Sequence, residues 1–301
     1  MEVPERGWLT WYYQREYLPE TKLCATLHRI SAFVGLFMKC LSDMASDAQN
    51  IVEPSVPRQD LRSVVLQKYS SSNDGPHRRM SSVRSASWMS AYRYYLKGCL
   101  PNPPSGPWVD LGCGQGALLQ FAQQQGYTGI LGVDASKEML GIASETGMPV
   151  ELGDVREWLA AAPSEYFKIV SAFDLMEHFS RDDGFDMLRQ IRRILEPNGV
   201  CLLQMPNAAS PWCHGVMASD LTHETAYSAL SISQLAKLAG FAFCEVKEMG
   251  PPPGTAVRQI RRLFWFGLRQ IYRFANLVET GSAAGGVYTR VMLVKLWGVG
   301  S

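Results

Sequence analysis

The chain has 301 residues, 47% of them apolar, and a formal net charge of +1. That length and apolar share suit one large domain with additions around a sizeable core, and the near-neutral balance removes the basic excess that tracking nucleic-acid phosphates needs, so no nucleic-acid partner is expected. Its seven cysteines are scattered and lack C-x-x-C spacing, which indicates neither a disulfide framework nor a zinc knuckle and fits a reducing, cytoplasmic setting.

The chain opens with an aromatic-rich stretch (Trp8, Trp11, Tyr12, Tyr13, Tyr17) followed by an apolar stripe at helical spacing, Leu23, Leu27, Ile30, Val34, Phe37, Met38 and Leu41. The run from Ile30 to Leu41 is too short to span a bilayer, lies too far in for a signal peptide and carries Lys39. Pro54 to Pro57 breaks this helix, a short helix is expected over 59–68, and the Ser/Arg-rich stretch 70–87 reads as a loop. Residues 1–87 are therefore expected to form an N-terminal helical extension, serving either as a lid over an active site or as a tether.

A helix is expected over 88–96, then a proline-rich connector into Trp108-Val109-Asp110-Leu111. This buried strand runs into Gly112-Cys113-Gly114-Gln115-Gly116, a turn whose glycines admit a ligand close to backbone and whose exit opens a helix over 117–125, the pattern of a nucleotide cradle. The glycines alone also satisfy the loose dinucleotide fingerprint. Asp110 points elsewhere, since an acid at the strand end would repel a pyrophosphate but suit a cation. Two further strands, 129–134 and 150–154, close on Asp134 and Asp154. An acid at each successive tip suits a ribose and an adenine amino group rather than a chain of phosphates. The competing reading is that Asp134 and Asp154 cap the helices that follow.

Downstream, strands are expected over 167–173, 200–205, 241–246 and 288–296, with helices over 182–195 and 232–239, an alternation that gives an α/β fold. Glu177 and His178 lie just past the fourth strand, where a neutral imidazole can take a proton from an acceptor; they could instead orient the loop. In Asp220-Leu221-Thr222-His223 the acid could hold His223 in one tautomer, or cap a turn. Between Thr255 and Val278, an apolar stripe is interleaved with Arg258, Arg261, Arg262, Arg269 and Arg273, and no acid appears until Glu279. Such a helix could lie peripherally on an anionic membrane surface, pack across the sheet edge with solvated arginines, or form a homodimer contact.

Five blocks, VDLGCGQGALL, GVDASKEML, ELGDVREWL, FKIVSAFDLMEHF and LEPNGVCLLQMPN, in this order and spacing, resemble the class I S-adenosylmethionine-dependent methyltransferases over roughly residues 88–247. The resemblance implies a seven-stranded Rossmann-like sheet with its last strand antiparallel, and S-adenosyl-L-methionine across the strand ends. It implies that Asp110, Gly112, Gly114 and Gly116 line the methionine and ribose, that Asp134 takes the ribose hydroxyls, that Asp154 and Val155 flank the adenine, and that Phe173 lies near the sulfonium. Arg93, in preference to Tyr92, is expected on the methionine carboxylate because its fork of donors matches one. Asp174, Glu177 and His178 resemble a magnesium-binding cluster of quinone-precursor O-methyltransferases, which leaves a metal open. Asp220-x-x-His223 is similar to a phrase in bacterial methyltransferases of glycans and sugar-bearing metabolites. The expected organisation is an extension (1–87), a cofactor-binding core (88–250), and an amphipathic helix with the last strand (251–301). The expected activity is O-methylation of a sugar, glycan or other hydroxylated small molecule, with His178 as general base and Glu177, His223 and Asp220 beside it; a small-molecule N-methyltransferase and a catalytically silent cofactor-binding protein are the other readings.

Overall fold

The computed structural model describes residues 82–283 and 286–298, together with Val65. The chain divides into units 1–58 and 59–301, and the described residues belong to the second. The expected extension therefore lies outside the described residues up to its last few positions, where helix α1 (Ser82–Tyr95) already begins. That helix crosses the expected boundary at 87/88.

After α1 come β1 (Trp108–Leu111), α2 (Ala117–Gln124), β2 (Ile130–Asp134), α3 (Lys137–Glu145), β3 (Val150–Leu152), α4 (Val155–Ala161) and β4 (Phe167–Phe173). Then follow a 3-10 turn over Met176–His178, α5 (Arg181–Ile194), β5 (Leu195–Pro206), α6 (Cys213–Met217), α7 (Ala229–Leu238), β6 (Phe243–Glu248), α8 (Ala256–Thr280) and β7 (Val291–Trp297). The strands form one seven-stranded sheet in the order β3-β2-β1-β4-β5-β7-β6. β7 runs antiparallel between β5 and β6, while β1 to β5 are mutually parallel. The expected fold class is the observed one.

Parallel strands covered on both faces must be apolar throughout rather than alternating. All four residues of β1 are buried, as are five of the seven in β4. One core joins this sheet to α4, α5 and α7 through Leu159, Leu188, Ile191 and Ile232; the other joins it to α1, α2 and α3 through Met89, Leu119, Phe121 and Leu140. Serine and aspartate caps start the helices: Ser136 on α3, Asp154 on α4, Ser180 on α5 and Ser228 on α7. α8 stands apart, with no buried residue.

The strand order places β1 between β2 on one side and β4 on the other, so the connections leaving β1 and β4 diverge and open a crevice at their carboxyl ends. Gly132 lets the glycine turn cross that point. A Cβ there would come 2.6 Å from Cys113 Sγ and 2.7 Å from Leu119 Cδ1. Gly132→Ala is expected to cost about 1–3 kcal/mol through overpacking, read as a lower denaturation midpoint in urea; an unchanged midpoint would show that the turn has slack.

Candidate functional site

The crevice at the strand ends encloses about 210 Å³. Its walls are backbone and side chains from the β1 turn (Asp110, Gly112, Gly114), the tips of β2 and β3 (Asp134, Asp154, Val155), the end of β4 and the turn after it (Phe173, Asp174, Leu175, His178), and α1 (Trp88, Tyr92). Eight of the residues expected at a site converge here. Gly112 and Gly114 take left-handed φ values of 68° and 51°, which a side chain would strain. Gly116, also left-handed at 75°, is instead where α2 starts, and a Cβ there would meet Ala143 and Met148; it shapes the turn without reaching the crevice wall.

Asp134 holds the turn closed. Its Oδ2 accepts from Gly114 N at 2.8 Å and its Oδ1 from Ser136 N at 2.7 Å. Each carboxylate oxygen keeps further acceptor capacity, so tying the turn does not preclude accepting ribose hydroxyls. Burial raises the Asp134 pKa, against these two bonds. Asp154 does what the helix-cap reading expected, accepting from Arg156 N at 2.8 Å, and lines the crevice as well. Burial works against its ionisation, but the bonds from Arg156 outweigh it and hold the pKa below the ordinary value.

Asp110 is 3% exposed. Ser171 Oγ donates to its Oδ1 at 2.6 Å and accepts from Trp108 Nε1 at 2.8 Å, a relay across the β1 and β4 register. Among the described residues no lysine or arginine pairs with this acid. Burial therefore pushes its pKa up to about 7, with Asp134 adding to the rise and the Ser171 bond opposing it. A buried acid that opens on a crevice and lacks a cation is a fit for a ligand that brings one.

On α1 the structure puts Tyr92 in the crevice and leaves Arg93 exposed. Successive helical positions point about 100° apart, so the two cannot share a face. The Tyr92 ring packs against Phe121 at 5.5 Å and Phe173 at 6.1 Å, and burial raises its pKa far above the ordinary phenol value. Its hydroxyl stays protonated and able to donate, and of the two neighbours it is Tyr92 rather than the expected Arg93 that lines the crevice.

Beyond β4 the backbone of Asp174 adopts φ 52°, an uncommon conformation for a residue with a side chain. Gln204 Nε2 donates to both its oxygens at 3.0 and 2.9 Å, fixing the start of the turn that carries His178. Thr222, which the sequence reading passed over, contacts this histidine: Thr222 Oγ1 lies 2.8 Å from His178 Nδ1 and 2.6 Å from Asp220 Oδ1. Because the threonine gives its hydroxyl hydrogen to the acid, its oxygen receives Nδ1–H, and the basic lone pair falls on Nε2. Asp220 also accepts from Thr222 N at 2.8 Å. His223 Nδ1 lies 3.2 Å from Val216 O, its ring packed edge-on at 4.8 Å from His178. The acid of the Asp-x-x-His phrase thus reaches His178 through the intervening threonine.

Glu177 is 1% exposed, and its Oε2 has no hydrogen-bond partner among the described residues; burial first, then the charges of Asp174 and Asp220, push its pKa well up. Its carbonyl accepts from Glu224 N and Thr225 N, which ties the two histidine-bearing segments together. Ligand atoms of Glu177, His178 and His223 lie within 4.8 Å of one another, a set that takes His223 where the sequence suggested Asp174. The five described cysteines are free thiols.

Comparison with known proteins agrees with this geometry. Residues 83–246 match the family model described as a methyltransferase domain. A trans-aconitate 2-methyltransferase of Azoarcus sp. (strain BH72) is 35% identical over 112 residues, 36% of this chain and 42% of that protein. A second, from Rhizobium meliloti (strain 1021), is 30% identical over 135 residues, 43% and 49% of the respective lengths. The chain thus spans less than half of either curated relative. A SAM-dependent methyltransferase structure from Archaeoglobus fulgidus superposes with TM-score 0.51 at 17% identity, covering 79% of this chain and 99% of that one, a likeness of fold.

Two outcomes are expected at the crevice. Asp134→Ala should weaken S-adenosylhomocysteine binding by about 1–3 kcal/mol through lost buried hydrogen bonds; equal affinity by calorimetry would contradict it. The Asp110 pKa of about 7 in the folded chain exceeds its ordinary 3.8, so ionising this acid removes stability as pH rises between those values, and a bound cation offsets the loss. Proton and cationic ligand therefore compete: affinity should rise with pH up to about 7 and level off above it, and Asp110→Asn should flatten the profile. A flat wild-type profile would contradict this. By fold, by crevice and by family model, the chain belongs to the S-adenosylmethionine-dependent methyltransferase domain family.

Proposed function

We propose that this protein is an O-methyltransferase that uses S-adenosylmethionine to methylate a neutral hydroxyl of a small-molecule acceptor, a sugar or other hydroxylated metabolite, with His178 as general base. The observation that carries the reading is the His178–Thr222–Asp220 relay at the crevice wall. S-adenosylmethionine supplies a methyl group on a sulfonium that needs no activation to leave. The protein's own tasks are then to align an acceptor and to receive its proton.

Asp134 would accept the ribose hydroxyls beyond the two amides it already holds, Asp154 and Val155 would flank the adenine, and Tyr92 and the glycine turn would hold the aminoacyl end, with Asp110 facing its ammonium. Phe173 packs beside the sulfur. His178, with Nδ1 anchored on Thr222, uses Nε2 to take the hydroxyl proton, and Asp220 stabilises the resulting imidazolium through the threonine hydroxyl. Glu177 holds the two segments in place through its backbone carbonyl.

The curated relatives' names give a carboxylate acceptor, which is ionised near neutral pH and requires no base. Among the described residues the crevice is lined by Asp110, Asp134, Asp154 and Asp174 and by no lysine or arginine, a lining that favours an uncharged acceptor over an anion.

With a hydroxylated acceptor, His178→Ala should lower kcat about 10²-fold while leaving donor affinity intact. Thr222→Val should lose much of the rate and Thr222→Ser keep it, because only the serine preserves the bridging hydroxyl. Full activity in His178→Ala, or methylation confined to carboxylates, would overturn the assignment.

A further inference from the structure

Helix α8 is built inside out. Its apolar residues Ile260, Leu263, Phe264, Ile271, Phe274 and Val278 recur on one stripe, and each is between 54% and 73% exposed. The opposite face meets the rest of the domain. There Trp265 packs on Trp212 at 6.1 Å, Tyr272 stacks on Tyr288 at 5.5 Å, Arg269 pairs with Glu248 at 3.3 Å, and Arg258 Nη2 donates to Ser87 Oγ at 2.9 Å. A globular helix turns its apolar stripe to the core; this one turns aromatic and arginine side chains there and leaves the apolar stripe out. A contiguous exposed apolar surface of this kind marks an interaction site.

We infer that α8 is an interfacial helix that seats the protein on an anionic lipid surface. The charge pattern selects that occupant. The helix carries five arginines against one acid, Glu279, at its end, and Arg261 and Arg262, both exposed, flank the apolar stripe. Guanidinium groups at the border of a buried apolar stripe can reach lipid phosphates while the stripe enters the acyl boundary. Arg258 and Arg269 are held by Ser87 and Glu248, which leaves Arg261 and Arg262 as the exposed cations of this helix, available to meet an anionic surface. No described helix is long and apolar enough to cross a membrane, so the contact lies on the surface rather than through it. Ser87 adjoins Trp88, which lines the crevice, so the lipid-facing helix is braced against the crevice wall.

The test is flotation of the full chain with phosphatidylcholine vesicles, with and without phosphatidylglycerol. The inference expects flotation with the anionic vesicles only. Phe264→Glu/Ile271→Glu should reduce partitioning at least about tenfold by placing charge in the stripe. Arg261→Gln/Arg262→Gln should reduce it by about tenfold or more, since each basic residue near such a surface contributes a severalfold gain. S-adenosylhomocysteine binding, measured by calorimetry, should be unchanged in both, showing that the fold and crevice persist. Three results would overturn the inference: absence of flotation, flotation undiminished in the Phe264→Glu/Ile271→Glu protein, or a dimer in sedimentation equilibrium that these two glutamates dissolve without any lipid binding by the parent.

Discussion

The carboxylate of Asp134 accepts from two backbone amides, one in the turn after β1 and one in the turn after β2, and the crevice depends on that clamp. It works with the bonds that Gly112 N and Cys113 N donate to Val133 O, so the left-handed turn is held to the end of β2 from two sides. The clamp costs burial of an acid, offset by charge-assisted hydrogen bonds from backbone groups that would otherwise need partners of their own. β1 and β2 supply its rigidity through their parallel register, and Gly132 supplies its clearance.

A division of charge follows from the same geometry. Beside the β1 turn lie Asp110, whose pKa burial pushes up to about 7, and Asp134. On the acceptor side lies the His178–Thr222–Asp220 relay, reached through a strained residue, Asp174, that Gln204 holds. In both halves an acid is tied by hydrogen bonds from neighbouring groups, Asp110 by Ser171, Asp134 by two amides and Asp220 by Thr222.

Much of this was legible in the sequence. The strands carrying Asp110 and Asp134, and the helical stripes after them, are local patterns, and β4 falls at its expected bounds, whereas β3 stops at Leu152 and Asp154 caps the next helix. The sequence was silent where contacts are long-range. Thr222 reaches His178 across 44 positions, and a threonine in a loop carries no signal of its own. Charge-fork chemistry favoured Arg93 over Tyr92, but the packing of α1 decided which of two neighbouring side chains faces the ligand. Gly116 looked like its neighbours in the motif, yet its freedom serves the helix start and the close approach of Ala143 and Met148. Periodicity revealed the stripe on α8; which side of the helix packs is fixed by Trp212, Glu248 and Tyr288, brought beside it by the fold.

The central claim is that the crevice accepts the nucleoside of a cationic sulfur donor and not a dinucleotide. Parallel calorimetric titrations of the purified chain with S-adenosylmethionine and with NAD test it most directly. The account predicts saturable heat with S-adenosylmethionine and none with NAD; saturable binding of NAD, or no binding of S-adenosylmethionine, would contradict it.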